Sequence, residues 1–339
     1  MAGSRGRDRF RLLQLALAIG GAAVVIALAR AYGWGAIAER LTRIQPRWIA
    51  AYAAIEVVIF AGYAYRWRFI LRALDEQLPF GRVLGARLAG LAVGSLTPGA
   101  KLGGEPLRAY MVARDGVRAG PAIASVILDR GAELLANIVF GVAYCALFAL
   151  RDRAAAGRVL VVVVLSAVAF LVGVAITLRR LRRGGSLVPA PFLPALARIG
   201  ASPTAIADAD DAMRTLVFAR RRVVAWALAV ALALNLLVFA EYGSLFAAFD
   251  AHPSLPELGG TLLGVGLAHA VPVPAAIGAL EGAQAAVMHV AGGGAELALV
   301  AAAVARVRDT VWTIPGLVTL AAWAWRRRRK SAREPRVAA

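Results

Sequence analysis

The sequence has little of what soluble enzymes and metalloproteins commonly depend on. It contains one cysteine, Cys145, and three widely separated histidines in 339 residues. A single cysteine excludes an intrachain disulfide and any Cys-x-x-Cys metal or redox site. A Walker loop, a Gly-x-Ser-x-Gly elbow and a His-Glu-x-x-His helix are also missing. We therefore predict no metal and no cofactor, and this chain alone is not an ATP-driven pump.

Charge is scarce as well, and acidic charge is the scarcer kind. Charged residues make up 17% of the chain, with 39 basic against 20 acidic residues, whereas 60% of the residues are hydrophobic. Ordinary soluble chains are about 45–50% apolar. Apolar runs of roughly 17–25 residues recur, and each is long enough to cross a bilayer. The sequence therefore predicts an all-α polytopic membrane protein. Its basic excess orients loops and contacts anionic lipid headgroups, so we expect no nucleic acid partner.

Six apolar segments are long enough to span a membrane. The first follows a run of arginines and is interpreted as a retained helix, because no small-residue cleavage site marks it as a signal peptide. Two shorter segments, 83–96 and 258–271, run into breaks rich in proline or glycine, and each break is followed by a second short helical stretch. This pattern predicts two re-entrant hairpins. The six predicted spans are 12–29, 48–65, 132–150, 159–178, 223–246 and 297–325.

The distribution of arginine predicts how the chain is oriented. The connection 179–222 and the tail 326–339 are rich in arginine, whereas 249–258 contains no lysine or arginine. Basic loops favour the cytoplasmic side, so we predict that both termini are cytoplasmic in a bacterial plasma (inner) membrane. The two hairpins then enter from opposite sides. Within 179–222 we expect a surface helix over 204–220.

Three residue types recur at one offset of 176 residues. In each half, a proline precedes a glutamate by seven residues and an arginine follows that glutamate by 25. With three crossings in each half, the second copy is inverted, and inverted repeats with interrupted spans are typical of transporters. We predict one membrane domain, 1–325, with repeats over 12–150 and 159–325, and a basic tail after it. The recurring residues are Pro98, Glu105 and Arg130, then Pro274, Glu281 and Arg306.

Charged side chains on the apolar stretches are the candidate binding residues. One charge at the bilayer centre costs roughly 2.5–3.5 kcal/mol, so such residues must pair or meet water. Helical spacing places Asp129, Arg130 and Glu133 on one face, and Glu105 shares a face with Arg108. Glu56 and Glu241 also lie on apolar stretches, while Arg87 and Asp309 are interpreted as members of structural ion pairs. Helix starts after the breaks favour a phosphate or carboxylate. The predicted substrate- or ion-binding set is Pro98, Lys101, Gly104, Glu105, Arg108, Asp129, Arg130, Glu133, Pro274, Gly278, Glu281, Arg306 and Arg308.

These residues resemble the motifs of a flippase-like membrane family, typified by the transmembrane region of lysylphosphatidylglycerol synthases. The similarity covers residues 12–325. The second break is poorer in glycine than is usual for the family. The family's later arginine is followed by a proline and a glycine, which fits Arg308, whereas the internal repeat selects Arg306; both stay candidates. The most specific matches are Gly104-Glu105-x-x-Arg108, Asp129-Arg130-x-x-Glu133 and Pro272-x-Pro274-x-x-x-Gly278-x-x-Glu281.

The resemblance implies that the protein moves a polar-headed lipid between leaflets, and the helix starts and arginines lead us to expect a phosphate in its headgroup. Its implied partners are membrane lipids with anionic or zwitterionic headgroups. In that family aminoacyl transfer belongs to a soluble domain after the membrane region, and only fourteen residues follow Trp325 here, so we expect no enzyme activity. Two other classes stay open. One is an intramembrane transferase with Glu105 and Asp129 as an acid/base pair, and the other is a non-transporting partner of an enzyme of glycolipid or isoprenoid-lipid biosynthesis.

Overall fold

A computed structural model describes residues 44–97, 102–188, 202–270, 276, 278–290 and 295–333. Every regular element within these ranges is helical, as the composition predicts. The predicted span 12–29 lies outside the described residues. So do three of the predicted site residues, namely Pro98, Lys101 and Pro274.

The described ranges contain ten α-helices. A 3₁₀ turn, Leu102–Gly104, precedes the third helix, and a π-helical turn, Thr215–Ala219, follows the sixth. The helices are α1 (Pro46–Arg72), α2 (Phe80–Leu96), α3 (Glu105–Arg114), α4 (Ala119–Phe148), α5 (Arg153–Arg182), α6 (Pro203–Arg214), α7 (Arg221–Ala248), α8 (Leu255–Ala270), α9 (Ala279–Val290) and α10 (Ala295–Arg333).

Four of these helices, α1, α4, α5 and α7, are long and apolar enough to cross a membrane. They correspond to the predicted spans 48–65, 132–150, 159–178 and 223–246. The α4 helix begins at Ala119, well before the predicted start, because charged residues lower the hydropathy there without interrupting the helix. The α10 helix has 39 residues and continues past Trp325 into the predicted basic tail, as far as Arg333.

Two helices begin at side-chain caps that their sequences specify. Ser202 precedes α6, and its hydroxyl oxygen accepts a hydrogen bond from the Ala205 N–H at 3.1 Å. Ser254 precedes α8, and its N–H and hydroxyl both donate to Glu257 Oε2, at 2.7 and 2.8 Å. Such caps satisfy backbone groups that the first turn of a helix leaves unpaired. A helix is therefore present in the predicted range 204–220, as α6 and the turn that follows it, and one face of α6 packs against α4.

The order and spacing of the helices repeat along the chain. Each of α7 to α10 begins within two residues of the position 176 residues after the start of its counterpart among α1 to α4. The α1 helix packs against α7, α4 packs against α8, and α10 packs against α2. The last helix of each half thus packs against the first short helix of the other half. The pairs α2–α3 and α8–α9 have the short lengths expected of the hairpins, and their re-entrant character stays a prediction.

Candidate functional site

Asp129 on α4 is the centre of a buried group of charged side chains. Its carboxylate is fully buried and accepts hydrogen bonds from three arginines. Arg66 Nε lies 2.8 Å from Oδ1, whereas Arg87 Nη1 and Arg108 Nη2 lie 2.9 and 2.5 Å from Oδ2. These arginines come from α1, α2 and α3. One carboxylate therefore holds three helices against α4.

Two further acids and a fourth arginine complete this group of charged side chains, which we call the arginine cluster. Glu133 lies 2.6 Å from Arg87 Nη2 and 2.8 Å from Arg130 Nη1. Oε2 of Glu105 lies 2.6 Å from Arg108 Nη1. Oε1 of Glu105 lies 3.9 Å from Arg130 Nε. Among the described residues, four guanidinium groups thus face three carboxylates. The arginine cluster, which consists of Arg66, Arg87, Arg108, Arg130, Glu105, Asp129 and Glu133, carries one excess positive charge.

Aromatic rings of α1 cover the flat faces of the buried guanidinium groups. Arg87 lies over the Tyr63 ring at 4.5 Å, and Arg108 lies over the Trp67 ring at 4.3 Å. Arginine suits such a site because its planar group stacks on a ring while its edge bonds to carboxylates. The Trp67 ring is itself held by a hydrogen bond from Nε1 to the Ser125 hydroxyl at 3.0 Å. The guanidinium edges are thereby held in fixed directions.

Two glycines allow the 3₁₀ turn to lie directly on α2. A Cβ atom on Gly104 would lie 1.8 Å from the Gly90 carbonyl oxygen, and one on Gly90 would lie 2.4 Å from the Arg108 Cγ. A larger residue at Gly104 would meet the backbone of α2, and one at Gly90 would displace the Arg108 side chain. The predicted site residue Gly104 therefore acts by permitting a close approach, which places Glu105 and Arg108 beside Asp129.

A second buried group lies where α1, α7 and α10 meet. Glu241 is fully buried, and its Oε1 accepts from Arg308 Nε at 2.5 Å. Glu56 is 3% exposed, and its Oε1 accepts from the Tyr52 hydroxyl at 2.8 Å and from Trp312 Nε1 at 2.7 Å. We call Glu56 and Glu241 the carboxyl pair. Because Arg308 also lies over the Trp312 ring at 4.8 Å, both the face and the edge of its guanidinium group have partners.

Glu281 and Arg306 form a third, separate pair. Arg306 Nε and Nη2 lie 2.6 and 2.9 Å from the two oxygens of Glu281. The Gly278 N–H donates to Glu281 at 2.9 Å, and the Ala276 carbonyl accepts from Arg306 at 3.2 Å. Both Gly278 and Ala276 have positive φ angles, 79° and 49°. The pair occupies the positions that Glu105 and Arg130 occupy in the first half.

Two adjoining cavities lie beside the arginine cluster, and the smaller one separates it from α10. The smaller, about 80 Å³, is lined largely by polar and charged side chains, including Arg87, Arg108 and Glu105. The larger, about 520 Å³, lies between α4, α5, α7 and α8 and is lined mainly by apolar side chains. His269 lines the larger cavity, and its Nε2 lies 3.4 Å from Oδ2 of Asp309, which lines the smaller one. The residues that line both cavities are Tyr63, Arg130, Glu133 and Arg308.

The predicted site residues thus fall into three groups. Seven lie in the arginine cluster or beside it, namely Gly104, Glu105, Arg108, Asp129, Arg130, Glu133 and Arg308. Three, Gly278, Glu281 and Arg306, surround the start of α9, and none of these described residues lines either cavity. Pro98, Lys101 and Pro274 lie outside the described residues.

Sequence reasoning missed Arg66, which is fully buried and bonds to Asp129. The predicted span ended one residue earlier, at position 65. Helical periodicity contained the signal, because the buried face of α1 runs through Glu56, Ile59, Tyr63, Arg66 and Ile70 at spacings of three and four residues. Arg87, interpreted from sequence as a structural ion pair, bridges Asp129 and Glu133.

Comparisons with known proteins identify related sequences. The profile of the family described as the lysylphosphatidylglycerol synthase TM region matches residues 12–331. A UPF0104 membrane protein of Methanothermobacter thermautotrophicus is 31% identical over 123 residues, which is 36% of each chain. A second from that organism is 35% identical over 80 residues, 24% of this chain and 22% of the relative. A UPF0104 membrane protein of Methanocaldococcus jannaschii is 24% identical over 107 residues, 31% of this chain and 32% of the relative. The matches therefore span no more than 36% of the length of these relatives.

Proposed function

Because this chain belongs to the family of the lysylphosphatidylglycerol synthase transmembrane region, whose name connects it with membrane lipids, we propose that it moves a phosphate-bearing lipid between membrane leaflets. The observation that carries the proposal is the junction of the two cavities. A small charged cavity opens beside a larger apolar one, and Arg130 and Arg308 line both. An amphipathic lipid has the same two parts side by side, a charged headgroup and apolar chains.

The charge of the small cavity favours an anionic group. Its lining contains four arginines and three acids, which leaves one excess positive charge; these residues are Arg87, Arg108, Arg130, Arg308, Glu105, Glu133 and Asp309. Guanidinium groups bind phosphate through paired N–H donors, and that interaction is strong where water is excluded. Glu105, which also lines this cavity, is placed to contact the cationic part of a zwitterionic headgroup. We therefore assign the phosphate to this cavity.

The larger cavity suits the apolar part of the same molecule. Side chains of α4, α5, α7 and α8 form its wall, and most of them are apolar. The α5 helix contributes to this wall and is otherwise extensively exposed, as expected of a helix that faces lipid. The proposed route therefore lets acyl chains stay beside α5 while the headgroup passes along Arg130 and Arg308.

Movement of one half against the other would open the route to alternate sides of the membrane. In transporters built from inverted repeats, binding sites lie between the halves, and rocking exposes them in turn. The recurrence of four helices at one offset supports this arrangement here. In the proposal, α2–α3 and α8–α9 are re-entrant hairpins that enter from opposite sides of a bacterial inner membrane, with both termini in the cytoplasm. Cysteine labelling at Gly99 and Ala275, in a Cys145→Ser background, should report access from opposite sides, and labelling from one side would contradict this topology.

Reconstitution gives the direct test of transport. Purified protein is placed in vesicles with fluorescent phosphatidylglycerol, phosphatidylethanolamine or phosphatidylcholine, and a membrane-impermeant reductant quenches the lipid in the outer leaflet. We expect the wild type to expose inner-leaflet lipid, and we expect Arg130→Gln and Arg308→Gln to slow this strongly. Arg306→Gln is the matched control, because it breaks a partly buried ion pair with Glu281 away from both cavities.

Two results would overturn the transport proposal. One is folded wild-type protein that moves no lipid class faster than empty vesicles do. The other is an equal loss of transport in Arg306→Gln and Arg130→Gln, because the cavities would then have no special role. Mass spectrometry of the same vesicles tests for an intramembrane enzyme, which would change the lipid chemically. Asp129 is poorly suited to the base role in such an enzyme, since its carboxylate already bonds to three arginines.

A further inference from the structure

The carboxyl pair leaves one oxygen of each acid without a hydrogen-bond donor. The Oε1 atom of Glu56 accepts from Tyr52 and Trp312, and that of Glu241 accepts from Arg308. The Oε2 atoms of both acids are buried and have no donor among the described residues. Both acids contact the same stretch of α10, Glu241 through Arg308 and Glu56 through Trp312, and the Arg308 guanidinium lies 4.8 Å from the centre of the Trp312 ring. One bound proton would supply the hydrogen that the two Oε2 atoms lack.

The charges in contact with the carboxyl pair favour the same proton. Arg308 is the cation that contacts the pair, and its single charge balances only one of the two carboxylates. A second ionised acid at this depth would be strongly unfavourable, since buried charge needs a partner. One bound proton makes the group neutral. The other titratable or charged side chains that face this group from α1, α4, α7 and α10 are Tyr52, Tyr63, Tyr144, Tyr242 and Asp309.

We propose that Glu56 and Glu241 form a proton-binding site, in which one proton is shared by the two carboxyl groups while Arg308 is bonded to Glu241. The site is distinct from the arginine cluster, where three carboxylates are matched by four arginines. It differs also from the Glu281–Arg306 pair, in which one acid meets one base.

Arg308 connects this proton site to the proposed lipid route. It bonds to Glu241 and lines both cavities. If a lipid phosphate draws the Arg308 guanidinium away from Glu241, the carboxyl pair loses its only positive contact among the described residues and takes up a second proton from water in the cavity. When the phosphate leaves, Arg308 returns and that proton is released. The proton gradient would thereby drive lipid movement, and this step rests on the proposed transport function.

Infrared spectroscopy of the purified protein tests the proton site without any transport. At neutral pH the wild type should show the carbonyl stretch of a buried protonated carboxylic acid, which shifts in deuterium oxide. Glu56→Gln and Glu241→Gln should each abolish this band, because the glutamine N–H donates to the remaining carboxylate in place of the proton. Glu257→Gln is the control, since Glu257 already accepts from Ser254 and Arg151 and should contribute no such band.

The proton site is refuted if the wild type lacks the band, or if neither glutamine variant removes it. If the glutamine variants do not fold, absence of the wild-type band refutes the site, and a wild-type band that persists in Glu257→Gln supports it. Coupling is tested in vesicles by the ratio of lipid movement with and without an imposed pH gradient. That ratio should exceed one in the wild type and fall to about one in Glu56→Gln, because a fixed hydrogen bond no longer responds to protons. A ratio of one in the wild type contradicts coupling. Absence of all transport contradicts the proposed function, but the infrared test of the proton site does not depend on transport.

Discussion

Replacing Asp129 by asparagine should destabilise the protein more than any other single change of one acid to its amide. The substitution keeps the size and shape of the side chain and removes one negative charge. Arg66, Arg87 and Arg108 all bond to this carboxylate, which is fully buried. In the variant, four guanidinium groups would face only two carboxylates. The asparagine amide group would also point donors at a site where three donors already converge.

The expected magnitude follows from the burial of these charges. Breaking a buried ion pair by removing one partner costs about 3–5 kcal/mol, because the other charge stays buried without compensation. At about 1.4 kcal/mol for each factor of ten, the ratio of folded to unfolded protein should fall by a factor of about 10² to 4 × 10³. Arg108 bonds also to Glu105, and Arg87 bonds also to Glu133, so these two retain some compensation. Arg66 depends mostly on Asp129, with Glu133 more distant at 3.6 Å.

Equilibrium unfolding by sodium dodecyl sulfate in mixed micelles, followed by tryptophan fluorescence and circular dichroism, measures this loss. Asp211→Asn is the matched control. Asp211 also bonds to an arginine, Arg214 at 2.6 Å, but its side chain is 76% exposed. Exposed pairs contribute about 0–1 kcal/mol, so this variant should unfold almost as the wild type does. Combining Arg66→Met with Asp129→Asn should recover part of the loss, because the double variant removes one unpaired cation.

Equal stability of Asp129→Asn and Asp211→Asn would refute this reasoning. It would mean that Asp129 is not a buried anion that holds three cations. A double variant that is less stable than Asp129→Asn alone would refute the second step, since Arg66 would then contribute through packing and not through its charge.

Three further results are expected. Gly90→Ala should cost about 1–3 kcal/mol in the same assay, because its Cβ would lie 2.4 Å from Arg108 Cγ; Gly81→Ala in the same helix has open space around it and should stabilise by about 0.5–1 kcal/mol. Ala276→Gly should stabilise the protein by up to about 1 kcal/mol, because alanine has a φ of 49° there; a loss of stability would show that the buried methyl group matters more. Arg308→Gln should remove the response of lipid movement to a pH gradient together with most of the movement, whereas Arg306→Gln should keep the response.

Local spacing in the sequence is sufficient to predict part of the site. Glu105 and Arg108, like Arg130 and Glu133, are three residues apart, and each pair forms an ion pair within one helix, at 2.6 and 2.8 Å. The repeat spacing also placed an arginine near each break glutamate. In the second half that arginine, Arg306, bonds directly to Glu281 at 2.6 Å. These contacts depend on the geometry of one helix or of two consecutive elements, so a sequence pattern can predict them.

The rest of the site depends on contacts between distant segments, for which no local pattern exists. Arg66 and Asp129 are 63 residues apart, and Trp312 and Glu56 are 256 residues apart. The hydropathy pattern misplaced two helix ends for a related reason. It ended the first described span at residue 65 and began the next at 132, because the charged residues Arg66, Asp129 and Arg130 follow or precede those positions. Their charges are compensated only in three dimensions, and a window of sequence cannot detect this.

The repeat also distinguishes the two candidate arginines of α10. Arg306 corresponds to Arg130 in the first half. Each of the two arginines lies near the glutamate that follows the break in its own half, Glu281 and Glu105 respectively. Arg308 has no counterpart, because Ala132 occupies the equivalent position. Residues two apart on a helix point about 200° apart, so the two arginines face different partners. Arg306 therefore extends the symmetric framework, while Arg308 reaches the carboxyl pair and both cavities.

The arginine cluster departs from the repeat in the same way. At the positions equivalent to Arg66, Arg87, Arg108 and Asp129, the second half has Tyr242, Leu263, Gln284 and Ala305. The equivalents of Glu56 and Glu241 are likewise uncharged, namely Leu232 and Tyr65. Packing of the two halves needs only the shared pattern of helices, so these unshared charges are not required by the repeat. Because burial makes such charges costly, their concentration in the first half and around Arg308 is the reason that the proposed headgroup site and the proposed proton site both depart from the repeated framework.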